Sequence, residues 1–83
     1  MDLTKFNRLL ASFTYRELGL RSKEYLQYHD AVGEEQDLAE AIMYNSMVGF
    51  LKDLGMKQQQ AEDYCEDNNN LLELAQYISS ILG

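Results

Sequence analysis

Apolar residues recur at helical spacing along most of the chain. The first segment carries an apolar stripe at intervals of three and four residues, which predicts an amphipathic helix over 3–13. That stripe consists of Leu3, Phe6, Leu9, Leu10 and Phe13. The longest helical pattern covers 34–54, and its stretch 41–51 is apolar on nearly every face, which is typical of a central helix surrounded by others. Alternation of apolar and polar residues is nowhere sustained, and the chain has no proline.

Capping signals predict the helix boundaries between these two segments. Thr14, with Glu17 three residues later, matches a capping box, so we expect a short turn or a second helix there that ends at Gly19. Ser22 is the next predicted cap. It begins a helix that ends at Gly33, because glycine readily adopts the left-handed conformation that closes a helix.

The C-terminal part of the chain predicts two further helices, over 57–67 and 71–82. Three consecutive asparagines between them indicate a turn. In that turn Asn70 is the predicted cap of the last helix, and Glu73, three residues later, is its reciprocal partner.

Together these elements predict an all-α fold, a single compact bundle of four or five helices over 1–83. Short N-terminal helices occupy 1–33, the central helix occupies 34–54, and a C-terminal helix pair occupies 55–83. The apolar fraction of 46% is too high for an intrinsically disordered chain. A chain of this length forms one domain and buries a modest share of its surface, so its core has to be efficient or shared with a partner.

The charge of the chain is unevenly distributed. The formal net charge is −7, yet residues 1–23 carry five basic residues against two acidic ones, and residues 24–83 carry two basic residues against twelve acidic ones. Because affinity for phosphate backbones comes largely from Lys and Arg, the long acidic part disfavours nucleic acid. The same charge suits a partner protein with a basic surface, although solvated helix faces account for it equally well.

The sequence contains no catalytic signature. No serine, cysteine or lysine stands in a recognisable nucleophile motif, and no glycine-rich loop can cradle phosphate. His29 has no second histidine or cysteine at ligand spacing, and Cys65, the single cysteine, is followed by Glu66 and Asp67, which oppose thiolate formation. We therefore expect no enzyme activity, no cofactor and no metal. The single cysteine and the lack of a secretory leader or a membrane-spanning apolar run predict a cytoplasmic protein.

The stretch LKDLGMKQQQAEDYCEDNNNLLELAQYI, which begins at Leu51, holds small and apolar residues at characteristic intervals. Over 49–83 this pattern resembles the ubiquitin-associated (UBA) domain family. The matching positions are Leu51, Leu54, Gly55, Met56, Ala61, Tyr64, Cys65, Asn70 and Ala75. The resemblance implies a compact three-helix fold that binds ubiquitin or another protein surface through the loop 54–56. Met56 stands where the family has an aromatic residue, and the identity of the ligand is left open.

Two other interpretations of the same stretch are possible. A helix-turn-helix at 50–67 would place Gly55 at its turn and a DNA-reading helix, with three glutamines near its start, at 57–67. Four carboxylates on that helix oppose this interpretation, because they would lie among phosphates. In the third interpretation the helices only pack in the bundle, and Gly55 and Met56 form a tight connection.

We predict a small acidic protein that acts through protein–protein contact, as an adaptor, inhibitor or regulator that masks a basic surface of its partner. The alternative is a DNA-binding transcriptional regulator that uses the helix-turn-helix at 50–67. The predicted partner-binding residues form a turn, an exposed tyrosine pair and an acidic cluster: Leu54, Gly55, Met56, Tyr25, Tyr28, Glu62, Asp63, Glu66 and Asp67. For the tyrosine pair, burial at the edge of the core is the equal alternative. The expected partner is a protein with a basic or apolar surface, not nucleic acid or a membrane, and a homodimer is left open.

Overall fold

The computed structural model describes residues 3–11, 15–30 and 33–82, and these fold into five α-helices. The helices are α1 (Leu3–Ala11), α2 (Arg16–Gln27), α3 (Glu34–Asp53), α4 (Gln58–Glu66) and α5 (Asn68–Leu82). No strand occurs among the described residues. The predicted all-α bundle of four to five helices is confirmed. Phe13 and Thr14, to which the sequence pattern assigns helix positions, lie outside the described residues.

A single core joins all five helices. α2 packs mainly against α5 and α3, and α3 packs in turn against α4. Met43 and Met47 on α3 are fully buried, so these flexible side chains fill the core. Each fully buried Leu, Phe or Met side chain contributes about 1.5–3 kcal/mol relative to an exposed one. The buried apolar residues are Phe6, Leu10, Leu18, Tyr25, Met43, Met47, Phe50, Leu51, Ala61, Cys65, Leu71, Leu74, Ala75 and Ile78.

α1 packs onto the bundle through Phe6 and Leu10, two buried residues of its apolar stripe. The ring of Phe6 meets the ring of Phe50 edge to face at 5.0 Å between centroids, and it meets Tyr77 of α5 at 5.4 Å. At the polar edge of the helix, Lys5 Nζ donates a hydrogen bond to the Leu54 carbonyl oxygen at 3.1 Å. The helix is therefore attached to both α3 and α5 of its own chain.

The predicted break between two helices near Gly19 is wrong. α2 runs through Gly19 and Ser22 without interruption, and both residues are buried. The Ser22 hydroxyl donates a hydrogen bond to the Leu18 carbonyl oxygen at 2.7 Å. A serine bonded to the preceding turn of its own helix is satisfied in the helix interior, which is why it is no cap here.

The predicted end of this helix at Gly33 is also wrong. α2 ends at Gln27, and Gly33 lies at the start of α3, with a φ of 117° that favours glycine. Its carbonyl oxygen accepts a hydrogen bond from the Asp37 amide at 3.3 Å. The Gln36 side chain donates to the His29 carbonyl oxygen at 2.9 Å and holds the connection between the two helices. Gly33 does mark a helix boundary, but that boundary is the start of α3 and not the end of α2.

Asn70 does not cap the last helix as predicted. The connection between α4 and α5 is a single residue, Asp67, whose carboxylate accepts a hydrogen bond from the Asn69 amide at 2.9 Å. The three asparagines form the first turn of α5 instead. The Asn70 side chain donates to the Tyr64 carbonyl oxygen at 3.1 Å and ties α5 to α4. Aspartate satisfies the free amides of a helix N-terminus well, which removes the need for a later cap.

Candidate functional site

The predicted turn residues Leu54, Gly55 and Met56 connect α3 to α4. Gly55 has a φ of 111°, and its amide donates to the Lys52 carbonyl oxygen at 2.9 Å. The Met56 amide closes the turn on the Leu51 carbonyl oxygen at 3.1 Å. Leu54 and Met56 are half-buried and pack against the core, so part of each side chain serves packing. The resemblance of this region to UBA domains stays a prediction.

The predicted tyrosine pair is not exposed as a unit. Tyr25 is only 5% exposed, so its predicted exposure is wrong, and Tyr28 is half-buried. Burial raises the pKa of Tyr25 above its ordinary value, and the Glu40 carboxylate of α3 raises it further. The Tyr25 ring also lies 5.8 Å from the His29 ring between centroids. α2 turns this tyrosine inward because the same face of α2 packs against α3 and α5.

The predicted acidic cluster divides into two parts. Asp67 belongs to the connection before α5, where its side chain binds a backbone amide. Glu62, Asp63 and Glu66 lie on α4, and the last two are exposed. Glu62 is half-buried and accepts a hydrogen bond from the Gln58 side chain at 2.9 Å. The three carboxylates on α4 therefore form a separate group on the surface.

Tyr44 of α3 is half-buried against the core and lies near these carboxylates, because α4 packs against α3. Partial burial raises the pKa of Tyr44, and Glu62, Glu66 and Asp63 raise it further, because a phenolate beside negative charges is disfavoured. Sequence reasoning missed this residue as part of a site. Tyr44 precedes Glu62 by eighteen residues and sits in a stretch that is apolar on most faces. No local signal joins the two, and only the packing of α4 on α3 brings them together.

A shallow depression of about 360 Å³ continues this surface along α3. Asp37 and Glu40 line it together with Tyr44, and Ala41 and Asn45 supply small side chains. We call the whole area the acidic–aromatic surface, which comprises Asp37, Glu40, Tyr44, Glu62, Asp63 and Glu66. A phenol ring beside carboxylates can hold a guanidinium or ammonium group by ion pairing and by contact with the ring face.

The negative charges of the acidic–aromatic surface have no cationic partner within the described part of the chain. The only ion pair between described residues joins Arg21 to Glu17 on α2 at 3.4 Å. In the same ranges, no three His, Cys, Asp or Glu side chains are grouped as ligands of a metal ion. None of the helices observed there is both long enough and apolar enough to cross a membrane.

Cys65 of α4 is expected to react slowly with alkylating reagents. Its thiol is buried, and this burial raises the pKa from 9.0 to about 11. Because the thiolate is the nucleophile, alkylation by iodoacetamide at pH 8 should be roughly 100-fold slower than for an unshifted cysteine. Mass spectrometry of the native chain and of the chain unfolded in urea measures the two rates. Similar rates in the two samples would show that the thiol is accessible.

The raised pKa of Cys65 also makes the free energy of unfolding depend on pH in the alkaline range. A thiol whose pKa is higher in the folded chain than in the unfolded chain favours the folded state as long as it is protonated. Its contribution is fully present below pH 9, the unshifted pKa, and is lost as the pH rises through about 11.

Comparison of the chain with protein-family models, with curated proteins and with solved structures finds no match. Its function has to be inferred from its own surfaces.

Proposed function

We propose that the protein is a small interaction module that uses the acidic–aromatic surface to cover a basic surface of a partner protein, as an adaptor, inhibitor or regulator of that partner in the cytoplasm. The depression in which Tyr44 lies with Asp37 and Glu40 carries this proposal. Glu62, Asp63 and Glu66 add to its charge, because α4 packs against α3 and these carboxylates raise the pKa of Tyr44. Carboxylates held together on one face repel one another, and a bound arginine or lysine relieves that repulsion.

An aromatic ring beside the carboxylates adds a preference for arginine. A guanidinium over a tyrosine face gains about 0.5–1 kcal/mol at an exposed site, in addition to its ion pairs. Arginine also binds carboxylates through two parallel hydrogen bonds, which lysine cannot do. Arginine-rich surfaces of the partner are therefore the best complement to this part of the molecule.

The start of α4 gives less support to DNA reading. The Gln58 side chain is engaged on both sides: its oxygen accepts from Lys52 Nζ at 3.2 Å, and its nitrogen donates to Glu62 at 2.9 Å. An amide used in this way is not free to pair with an adenine edge. If α4 lay in a groove of DNA, Asp63 and Glu66 would also face the DNA phosphates, and the negative charges would repel one another.

Neutralising the α4 carboxylates is expected to weaken the binding of an arginine-rich peptide. The triple variant Glu62→Gln, Asp63→Asn, Glu66→Gln should lose about tenfold in affinity at low salt, since three ion pairs at the surface together contribute about 1–2 kcal/mol. Binding to the wild-type chain should weaken as salt rises, because exposed charges are screened. Fluorescence anisotropy of the labelled peptide measures both effects.

A matched triple variant separates this surface from total charge. Glu24→Gln, Asp30→Asn, Glu73→Gln removes the same number of charges from exposed positions outside the acidic–aromatic surface, and it should change affinity less than about threefold. Tyr44→Leu, which removes only the ring, should cost about threefold. Equal losses for the two triple variants would show that the peptide responds to net charge and that the surface is no binding site.

A further inference from the structure

α3 presents apolar residues to solvent as well as to the core. On the side away from Met43 and Met47, Leu38 is 63% exposed and Ile42 is 36% exposed. We call this side the outer face of α3, which comprises Leu38, Ala41, Ile42, Asn45 and Gly49, all exposed. A helix that is apolar on nearly every side is usually covered on every side. The outer face of α3 is therefore a candidate for contact with another chain.

An open cleft of about 400 Å³ lies between α2 and α3, beside this face. Ser46 and Gly49 line it from α3, and a Cβ atom built on Gly49 would meet no atom within 4 Å. Arg21 of α2 donates a hydrogen bond to the Ser46 hydroxyl at 2.6 Å and bounds the cleft. Leu20, which is 63% exposed, lines the adjoining part of the same groove. The space above Gly49 is open, and the cleft beside it is lined by both apolar and charged side chains.

Beyond the two ends of the outer face, α3 carries opposite charges. Glu34 lies in the first turn of α3 and Lys52 in its last turn. They are eighteen residues apart, which is five helical turns, so both lie on the same side of the helix. In two antiparallel copies centred on the middle of α3, Glu34 of each copy lies level with Asp53 and one residue from Lys52 of the other. Asp53 adjoins Lys52 and offsets part of the attraction, so the charges favour the antiparallel orientation more than they add strength.

We propose that the chain forms a homodimer in which the outer faces of two α3 helices pack antiparallel, with Leu38 of each copy over Gly49 of the other. A two-fold axis that crosses α3 at its midpoint, level with the peptide bond between Met43 and Tyr44, places Leu38 of one copy opposite Gly49 of the other. The large residue and the open space then meet twice, as a self-complementary interface requires. Ile42 and Asn45 face each other nearer the axis. The occupant is a second copy of the chain, because the outer face carries both the projecting Leu38 side chain and the open space at Gly49 opposite it.

The size of the face suits a dimer. α3 has 20 residues and is about 30 Å long, close to the longest dimension of the molecule, 35 Å. A stable interface buries about 800 Å² on each partner, which is about one seventh of the 5429 Å² surface of the chain. The outer face of α3 adjoins the Leu20 side of α2, since Leu20 and Ile42 line the same groove, so the exposed apolar area extends beyond one helix. The acidic–aromatic surface begins at the edge of this face, where Ala41 and Asn45 line its depression, and continues toward α4.

Analytical ultracentrifugation at about 100 μM chain tests the dimer, since interfaces of this size have micromolar or lower dissociation constants. The wild-type chain should sediment with twice the monomer mass of 9.6 kDa. Leu38→Lys should sediment as a monomer with an unchanged circular dichroism spectrum, because Leu38 contributes little to the monomer core. Wild-type dimers should persist as salt rises, unlike the binding of an arginine-rich peptide. A monomeric wild type would overturn the proposal and leave the proposed function untouched.

Disulfide trapping tests the orientation. A mixture of Leu38→Cys and Gly49→Cys chains should form a mixed disulfide under mild oxidation, because the two positions meet across the interface. Each variant alone should not cross-link, since copies of the same position lie eleven residues apart along the helix, about 16 Å. The buried Cys65 thiol gives little background. Dimers that survive Leu38→Lys, or a mixture that forms no mixed disulfide, would refute this interface.

Discussion

Replacing Phe6 by alanine is expected to lower the free energy of unfolding by about 4 kcal/mol, the usual cost of removing a buried phenylalanine. Phe6 is 1% exposed and touches the rings of Phe50 and Tyr77, so its loss opens a cavity between α1, α3 and α5. A helix of nine residues is not stable alone in water, and α1 depends on this packing. Urea denaturation followed by circular dichroism measures the change.

Arg8→Ala is the matched control for this prediction. Arg8 is exposed on the same helix, so its replacement should change stability by less than about 0.5 kcal/mol. The double variant Phe6→Ala, Phe50→Ala should lose less stability than the sum of its two single variants, because the two rings share one contact. A loss below about 1 kcal/mol for Phe6→Ala would mean that α1 is not packed on the bundle as described.

Alanine substitutions at Gly55 and Gly49 are expected to shift stability in opposite directions. Gly55 has a φ of 111°, which a residue with a Cβ adopts only under strain, so Gly55→Ala should cost about 2 kcal/mol. Gly49 lies inside α3 with open space around its Cα, so Gly49→Ala should add about 1 kcal/mol through helix propensity. Thermal unfolding at low chain concentration, where the monomer prevails, compares the two.

The glycine pair is its own control, because both substitutions add the same methyl group. For a domain of this size, 1 kcal/mol corresponds to about 4–8 °C in the melting temperature, so the opposite shifts are well separated. Destabilisation by Gly49→Ala would contradict the open space seen at that position. A neutral Gly55→Ala would show that the turn before α4 tolerates an ordinary backbone conformation.

Local signals in the sequence predicted most of the helices. The stripe over 3–13 agrees with α1 over the described residues 3–11, and the long apolar pattern over 34–54 agrees with α3 to within one residue. The glycine that follows it lies in the predicted turn. These features depend on residues within a few positions of one another, and helical periodicity and glycine geometry act at that range.

The wrong boundaries arose where two local signals competed. Ser22 is a good cap in isolation, yet packing of α2 on α3 and α5 favours a continuous helix, and the hydroxyl bonds to Leu18 instead. Asp67 and Asn70 are both acceptable caps, and the one-residue connection selects Asp67. Such choices differ by about 1 kcal/mol locally, which the burial of one apolar side chain outweighs.

By itself the sequence determined that this protein is a single helical bundle with an acidic C-terminal part and without a recognisable catalytic motif. Only the tertiary structure decided that Tyr44 lies near the carboxylates of α4, that Tyr25 is buried, and that α3 exposes a second apolar face with Leu38 at one end. Periodicity states which residues share a face of a helix. It does not state which face meets which helix, because that depends on side-chain packing between segments far apart in the chain.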